Sequence, residues 1–280
     1  MLRIFPRFLI LIFGIIFLTS CRQSVIEHSD WAAFIQQEER EGSIMIFDEK
    51  DGTFHVYDAD RCMEQFIPAS TYKVFHSLIA LETGVIPDSS YLMAWDSTER
   101  SIPAWNRDHS LKTAFRNSVV WYYQRIAREI GEERMLSFLK QEGYGNRDIS
   151  GGIDMFWLTG GLKISQSEQL QFLMKLYHKK LGFTEENMNI VKDMMIREEE
   201  ADYTLYGKTG WAIVNSTNYG WFIGFLEQNE NVYFFATQIA EKGEASPTFS
   251  QSRVDITESA LKGLGLLDAP QPPADSTQGS

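Results

Sequence analysis

"FIPASTYKVFHSLIALETG", residues 66–84, decides how the rest of the chain is read. A proline precedes a serine, and a lysine follows three residues later as an apolar-periodic run begins. Ser70 has two readings. As a helix cap, its oxygen accepts a bond from an orphan backbone N–H of the helix that follows. As a nucleophile it needs an adjacent base, and Lys73 stands one helical turn on, where side chains are neighbours. Leu78, Ile79 and Leu81 continue the apolar stripe and Gly84 ends it. Spacing alone does not choose, because Ser-x-x-Lys occurs at Ser70…Lys73, Ser137…Lys140 and Ser259…Lys262.

Composition narrows the field. The 280 residues allow one large domain or two small ones, and 44% hydrophobic with 13% aromatic content supports a sizeable core. A net charge of −12 argues against nucleic acid, which wants a basic face. An anionic small molecule would need a local cluster of Lys or Arg. His28, His55, His76, His109 and His178 form no H-E-x-x-H and no close pair, so no metal site is expected. No G-x-x-x-x-G-K-[ST] or G-x-G-x-x-G loop is present.

The first 21 residues read as a signal peptide: Arg3 and Arg7, then an uncharged apolar run from Phe8 to Leu18. That run is eleven residues, short of the ~20 of a membrane-spanning helix; an uncleaved short anchor is the alternative. "LTSC" at its end resembles the lipobox of bacterial lipoproteins. The resemblance implies cleavage before Cys21 and a lipid on its sulfur. Cys62, the other cysteine, would then have no intrachain partner. Residues 22–29 read as a polar tether and 268–280 as a Pro-rich, disordered tail.

Residues 30–267 carry the fold. "DWAAFIQQEE" reads as a first helix capped by Asp30, and "GSIMIFDEKDGTFHVYD" as a hairpin turning at Asp51-Gly52. From 69 to 200 the signals are mostly helical, as in "SVVWYYQRIAREIG" and "SQSEQLQFLMKLYHKKLG". Strands then return. "YTLYGKTGWA" is one, and "GWFIGFLEQNENVYFFATQI" is a hairpin apolar on both alternations, so both sheet faces should be covered. "FSQSRVDITESALKGLGLL" closes as a helix. The expected class is α+β: an antiparallel sheet flanked by helices, with sheet parts 30–68 and 201–267 and a helical insertion domain over 69–200. A site would sit where the insertion meets the sheet.

Three short elements border that junction: Ser70-Thr71-Tyr72-Lys73, Ser118-Val119-Val120 and Lys208-Thr209-Gly210. Ser118 alone could be a cap, and Lys208-Thr209-Gly210 a strand edge. Together, in this order, S-x-x-K and K-T-G resemble the serine β-lactamase and penicillin-binding superfamily. The middle element resembles the S-x-V of class D, the oxacillinase-type enzymes, where class A has S-D-N. Tyr144-Gly145-Asn146, "FWLTGGLKISQSEQ" (156–169) and "GWFIGF" (220–225) extend the similarity over roughly residues 30–266. Class C has a Tyr-x-Asn that Tyr144-Gly145-Asn146 imitates, but Ser118 would then go unexplained.

The resemblance implies roles. Ser70 is the nucleophile. A lysine with the ordinary pKa of ~10.4 is protonated at neutral pH and is no base; burial lowers it. Val120, Trp157 and Leu158 are candidates for the apolar wall. In class D the corresponding lysine takes up carbon dioxide, supplied as bicarbonate, as a carbamate base, and its tryptophan, here Trp157, bonds that group. Ser118 would relay a proton to the leaving nitrogen. Backbone N–H groups of Ser70 and Trp211 would form the oxyanion hole. Lys208, Thr209, Gly210 and Arg253 would bind the substrate carboxylate; the bland reading of Arg253 is an exposed side chain near Asp255. The implied partner is a β-lactam and the implied place the periplasm, with membrane contact only through a lipid at Cys21. Two rivals stay open: a β-lactam sensor domain and a penicillin-binding protein, both of which remain acylated.

Overall fold

The computed structural model describes residues 23–36 and 40–267. The expected signal peptide, Cys21 and the expected tail lie outside the described residues.

The chain starts with β1 (Ser24–Glu27), a 3-10 turn (Ser29–Trp31) and a single turn, α1 (Ala32–Ile35). The hairpin β2 (Glu41–Asp48) and β3 (Thr53–Tyr57) leads through α2 (Ala59–Cys62) to a 3-10 turn, Ala69–Tyr72, that runs straight into α3 (Lys73–Glu82). A small ribbon, β4 (Leu92–Met93) with β5 (His109–Ser110), precedes α4 (Leu111–Arg116), α5 (Val120–Ile130), α6 (Glu132–Glu142), α7 (Gln166–Tyr177) and α8 (Glu185–Met194). The chain then returns to the sheet through β6 (Ile196–Glu199), β7 (Tyr203–Val214), β8 (Thr217–Gln228) and β9 (Asn231–Lys242), and closes with α9 (Phe249–Gly263).

The sheet order is β1-β3-β2-β9-β8-β7-β6, antiparallel except for β1 beside β3. Both faces are covered, as the doubly apolar strands require. Met45, Phe47, Trp221, Ile223, Phe225 and Phe234 join the core of the helical block. Their neighbours along the same strands, Ile44, Ile46, Phe222, Phe235 and Ile239, join a second core under α1 and α9. Alternate residues of one strand thus serve different cores, the period-2 geometry of a strand. Truncating a central side chain such as Phe222 to Ala would cost ~3–5 kcal/mol.

The structure departs from expectation at the sheet's edges. Ser24–Glu27 is not a free tether; it pairs in parallel with β3, Ser24↔Thr53 to Glu27↔Val56. All four residues are exposed, so backbone pairing rather than apolar burial fixes it. At the other edge the sheet resumes at Ile196, inside the stretch read as helical, and Arg197, Glu198 and Glu199 supply the charges that keep such an edge from pairing further. Asp30 is not a cap; it lies inside the 3-10 turn, whose cap position is His28.

Candidate active site

Ser70 is not a cap either. Pro68 occupies the cap position of the Ala69–Tyr72 turn, which has no side-chain cap. Ala69, just before the serine, has φ +50°, a region costing a non-glycine residue ~1–3 kcal/mol and met mainly where function demands it. Lys73 opens α3, is fully buried, and its Nζ donates to Ser70 Oγ at 2.8 Å. The Tyr123 ring lies 5.1 Å from that nitrogen. Ser77 Oγ donates to the Lys73 carbonyl at 2.7 Å and lies 2.8 Å from Tyr123 Oη, which locks the turn. Burial pulls the Lys73 pKa down to about 7. A substantial neutral fraction is therefore present at neutral pH.

Gly210 brings β7 onto this turn. A Cβ there would stand 2.8 Å from the Pro68 carbonyl oxygen and 3.2 Å from the Thr71 nitrogen. Only glycine allows that approach, and it carries the neighbouring Trp211 to the same cleft as Ser70. Trp221 Nε1 donates to the Ile67 carbonyl at 2.9 Å, and Gln169 Nε2 to Thr71 Oγ1 at 3.0 Å, pinning the turn from below.

Ser118 sits between α4 and α5 with φ +53°, while Val119 holds the cap position of α5. Lys208 Nζ donates to Ser118 Oγ at 2.5 Å and to the Thr209 carbonyl at 3.0 Å. Lys208 is buried. Desolvation, then the nearby Lys73, Arg253 and Arg197, hold its pKa well below the ordinary value. Its amine points to Ser118, and Lys208 is not among the residues that line the cleft.

The cleft has a volume of about 670 Å³, and its lining includes Ser70, Ser118, Val120, Leu158, Thr209, Gly210, Trp211 and Arg253. Lys73, Lys208 and Trp157 lie buried behind it. Arg253 is not paired with Asp255: its Nη1 donates to the Gly210 carbonyl at 2.5 Å and its Nη2 to Ser250 Oγ at 3.3 Å. Its Nε is buried without a partner, and burial with nearby Arg197 lowers its pKa to about 10. Trp157 packs edge-on against Phe156, and its Nε1 is buried with no hydrogen-bond partner. Tyr144-Gly145-Asn146 stays out of the cleft. Tyr144 stacks on Phe75 at 4.8 Å and Asn146 clamps the Gly161 carbonyl and the Lys163 N–H at 2.8 and 2.9 Å. That motif is scaffolding, so its likeness to Tyr-x-Asn has no catalytic meaning.

Sequence reasoning missed Tyr123, Thr71 and Gln169, which shape the site from behind, and Trp105, whose Nε1 is fixed to the Asn117 carbonyl at 2.9 Å on the cleft wall. Thr71 and Gln169 lie inside quoted motifs and Tyr123 inside a quoted helical stretch, but no spacing marks what their side chains bond. Another cavity, about 640 Å³, is lined by Glu49, Glu200, Asp202, Glu227 and Glu230 among others and includes none of the three motifs.

The Penicillin binding protein transpeptidase domain family matches residues 33–259. Beta-lactamase OXA-48 of Klebsiella pneumoniae is 43% identical over 210 residues, 75% of this chain and 79% of that protein. The crystal structure of the class D beta-lactamase YbXI from Nostoc superposes with a TM-score of 0.81 at 45% identity, covering 86% of this chain and all of that one. The chain belongs to the class D serine β-lactamases. Its class D elements, Ser70-x-x-Lys73, Ser118-x-Val120 and Lys208-Thr209-Gly210, are the three that the fold brings to one cleft. A relative of another kind is the Regulatory protein BlaR1 of Bacillus licheniformis, 36% identical over 86% of this chain but only 40% of that longer protein.

Proposed function

We propose that the protein hydrolyses the β-lactam ring of penicillin-type antibiotics through an acyl-enzyme on Ser70, with carboxylated Lys73 as general base, and so gives antibiotic resistance. The observation that carries the reading is Lys73: fully buried and bonded to Ser70 Oγ at 2.8 Å, with a pKa near 7. The residues fit a carboxylated lysine. The amine is partly neutral, Val120 and Leu158 give the cleft an apolar wall, and Trp157 Nε1 is a buried donor that lacks an acceptor. The added group would supply a carboxylate-like base beside Ser70 Oγ and would be held by Trp157.

The chain's own groups do the rest. Ser70 Oγ gives up its proton and attacks the ring carbonyl. The backbone N–H groups of Ser70 and Trp211 stabilise the oxygen charge that develops only in the transition state. Ser118, held by Lys208, passes a proton to the departing ring nitrogen. Thr209 and Arg253 face the cleft and fix the substrate carboxylate, the Arg through its planar fork. The proposal extends to export by residues 1–21, a lipid at Cys21 and a periplasmic location, on the sequence pattern alone.

The likeness to BlaR1 supports a second reading, a sensor that stays acylated. Counting turnovers separates them. Purified protein, supplied with bicarbonate, is mixed with a chromogenic cephalosporin and with penicillin in large molar excess. Complete consumption of the excess supports the hydrolase. A burst of one equivalent followed by none leaves the sensor.

A further inference from the structure

His76 is fully buried one turn beyond Lys73 on α3, and neither of its ring nitrogens has a hydrogen-bond partner. Its ring lies 5.2 Å from Trp157, edge-on, and 5.3 Å from Tyr123, the ring that also covers the Lys73 amine. Lys73, His76 and Trp157 therefore gather around one aromatic-walled spot, and three polar atoms there, His76 Nδ1 and Nε2 and Trp157 Nε1, are unsatisfied. An imidazole used only for packing would be a poor choice, because buried polar atoms left unpaired forfeit their hydration with no return. A phenyl ring of similar size would fill the space without that loss. Burial and the neighbouring Lys73 pull the His76 pKa down to about 3, so the ring is neutral, with one N–H donor and one acceptor. It is not the group that takes the Ser70 proton.

We propose that His76 is a positioning residue for Lys73: its neutral imidazole supplies, with Trp157, the polar contacts, direct or through one water, that hold the carboxylate which carbon dioxide adds to Lys73. The inference rests on the carboxylation reading above. In that addition the amine lone pair forms the N–C bond, one C=O pair moves onto oxygen, and the displaced N–H proton leaves to bicarbonate in solution. His76 contributes by making the product state more stable than the free amine.

The test is ¹³C NMR of the full chain titrated with ¹³C-bicarbonate, on wild type, Lys73→Ala, His76→Asn, and the apolar replacements His76→Phe and His76→Leu, with thermal unfolding of each. Wild type should show a carbamate signal that Lys73→Ala lacks. Whichever apolar variant folds should need about tenfold or more bicarbonate to half-saturate the signal, the size of effect typical of supporting contacts around a bound group. His76→Asn, which keeps a donor and an acceptor, should stay close to wild type. A wild type without the Lys73-dependent signal overturns the carboxylation reading and this proposal together. A wild type with the signal beside unshifted apolar variants overturns this proposal alone, and so does His76→Asn shifted as far as they are.

Discussion

Ser70…Lys73 and Ser137…Lys140 share one spacing and sit in opposite surroundings. The first begins α3 at the floor of the cleft, with Lys73 fully buried and bonded to the serine. The second lies on α6 with both residues exposed. Ser259…Lys262 on α9 ends the same way, its lysine in solvent. Spacing puts a lysine within reach of a serine, but only desolvation turns it into a base, because water keeps an exposed amine protonated at neutral pH. The strained backbone at Ala69 and the touch of Gly210 on the same turn belong to the first pair alone.

The sharpest way to break the contrast is to remove each lysine. Lys73→Ala should lower kcat/KM for a β-lactam by ~10³-fold or more, the scale of losing the group that activates a nucleophile. Lys140→Ala should stay within about twofold, as surface changes away from the chemistry do. Gly210→Ala comes next. Its Cβ would meet the Pro68 carbonyl at 2.8 Å and push β7 off the turn, and a misplacement of that order costs about 10²-fold in rate. The loss should fall on kcat, and the backbone clash should lower the unfolding midpoint as well.

The pH profile sharpens the same point. Only the neutral amine can take up the carbon dioxide of the proposed base, so kcat/KM should fall about tenfold per unit as pH drops below about 7. The sign for stability follows from the same shift. Between about 7 and the unfolded value of ~10.4 the unfolded chain binds the extra proton, so resistance to urea should rise with pH across that window. A profile that goes on rising about tenfold per unit well above pH 7 would place Lys73 among ordinary lysines. The smallest expected effect is Arg253→Ala, which should raise KM roughly tenfold with a lesser change in kcat, the loss of a charge-assisted contact used in binding. A substrate analogue lacking the carboxylate should be insensitive to the change.

Much of the fold was legible because the central strands are apolar on both alternations: Trp221 and Phe222 go to different cores, and only a sheet covered on both faces explains both. The edges were not legible. Ser24–Glu27 and Ile196–Glu199 are exposed on every residue, so no apolar pattern marks them, and backbone pairing alone makes them strands. At the site, Ser70, Ser118 and Lys208 were legible as spaced motifs. What the spacing left open was orientation: Lys208 turns under Ser118 instead of toward the cleft, and Arg253 reaches Gly210 instead of Asp255. His76 was invisible for a different reason. A single histidine on an apolar helix face reads as core, and its unpaired nitrogens show only once Trp157 and Tyr123 close around it.

The most direct measurement is peptide mapping by mass spectrometry after a brief pulse of fluorescent penicillin. Label on the peptide carrying Ser70, lost with time in wild type and absent in Lys73→Ala, is the expected result. Label at Ser137 or Ser259, or labelling of Ser70 undiminished in Lys73→Ala, would contradict the claim that burial of Lys73 is what makes this one serine reactive.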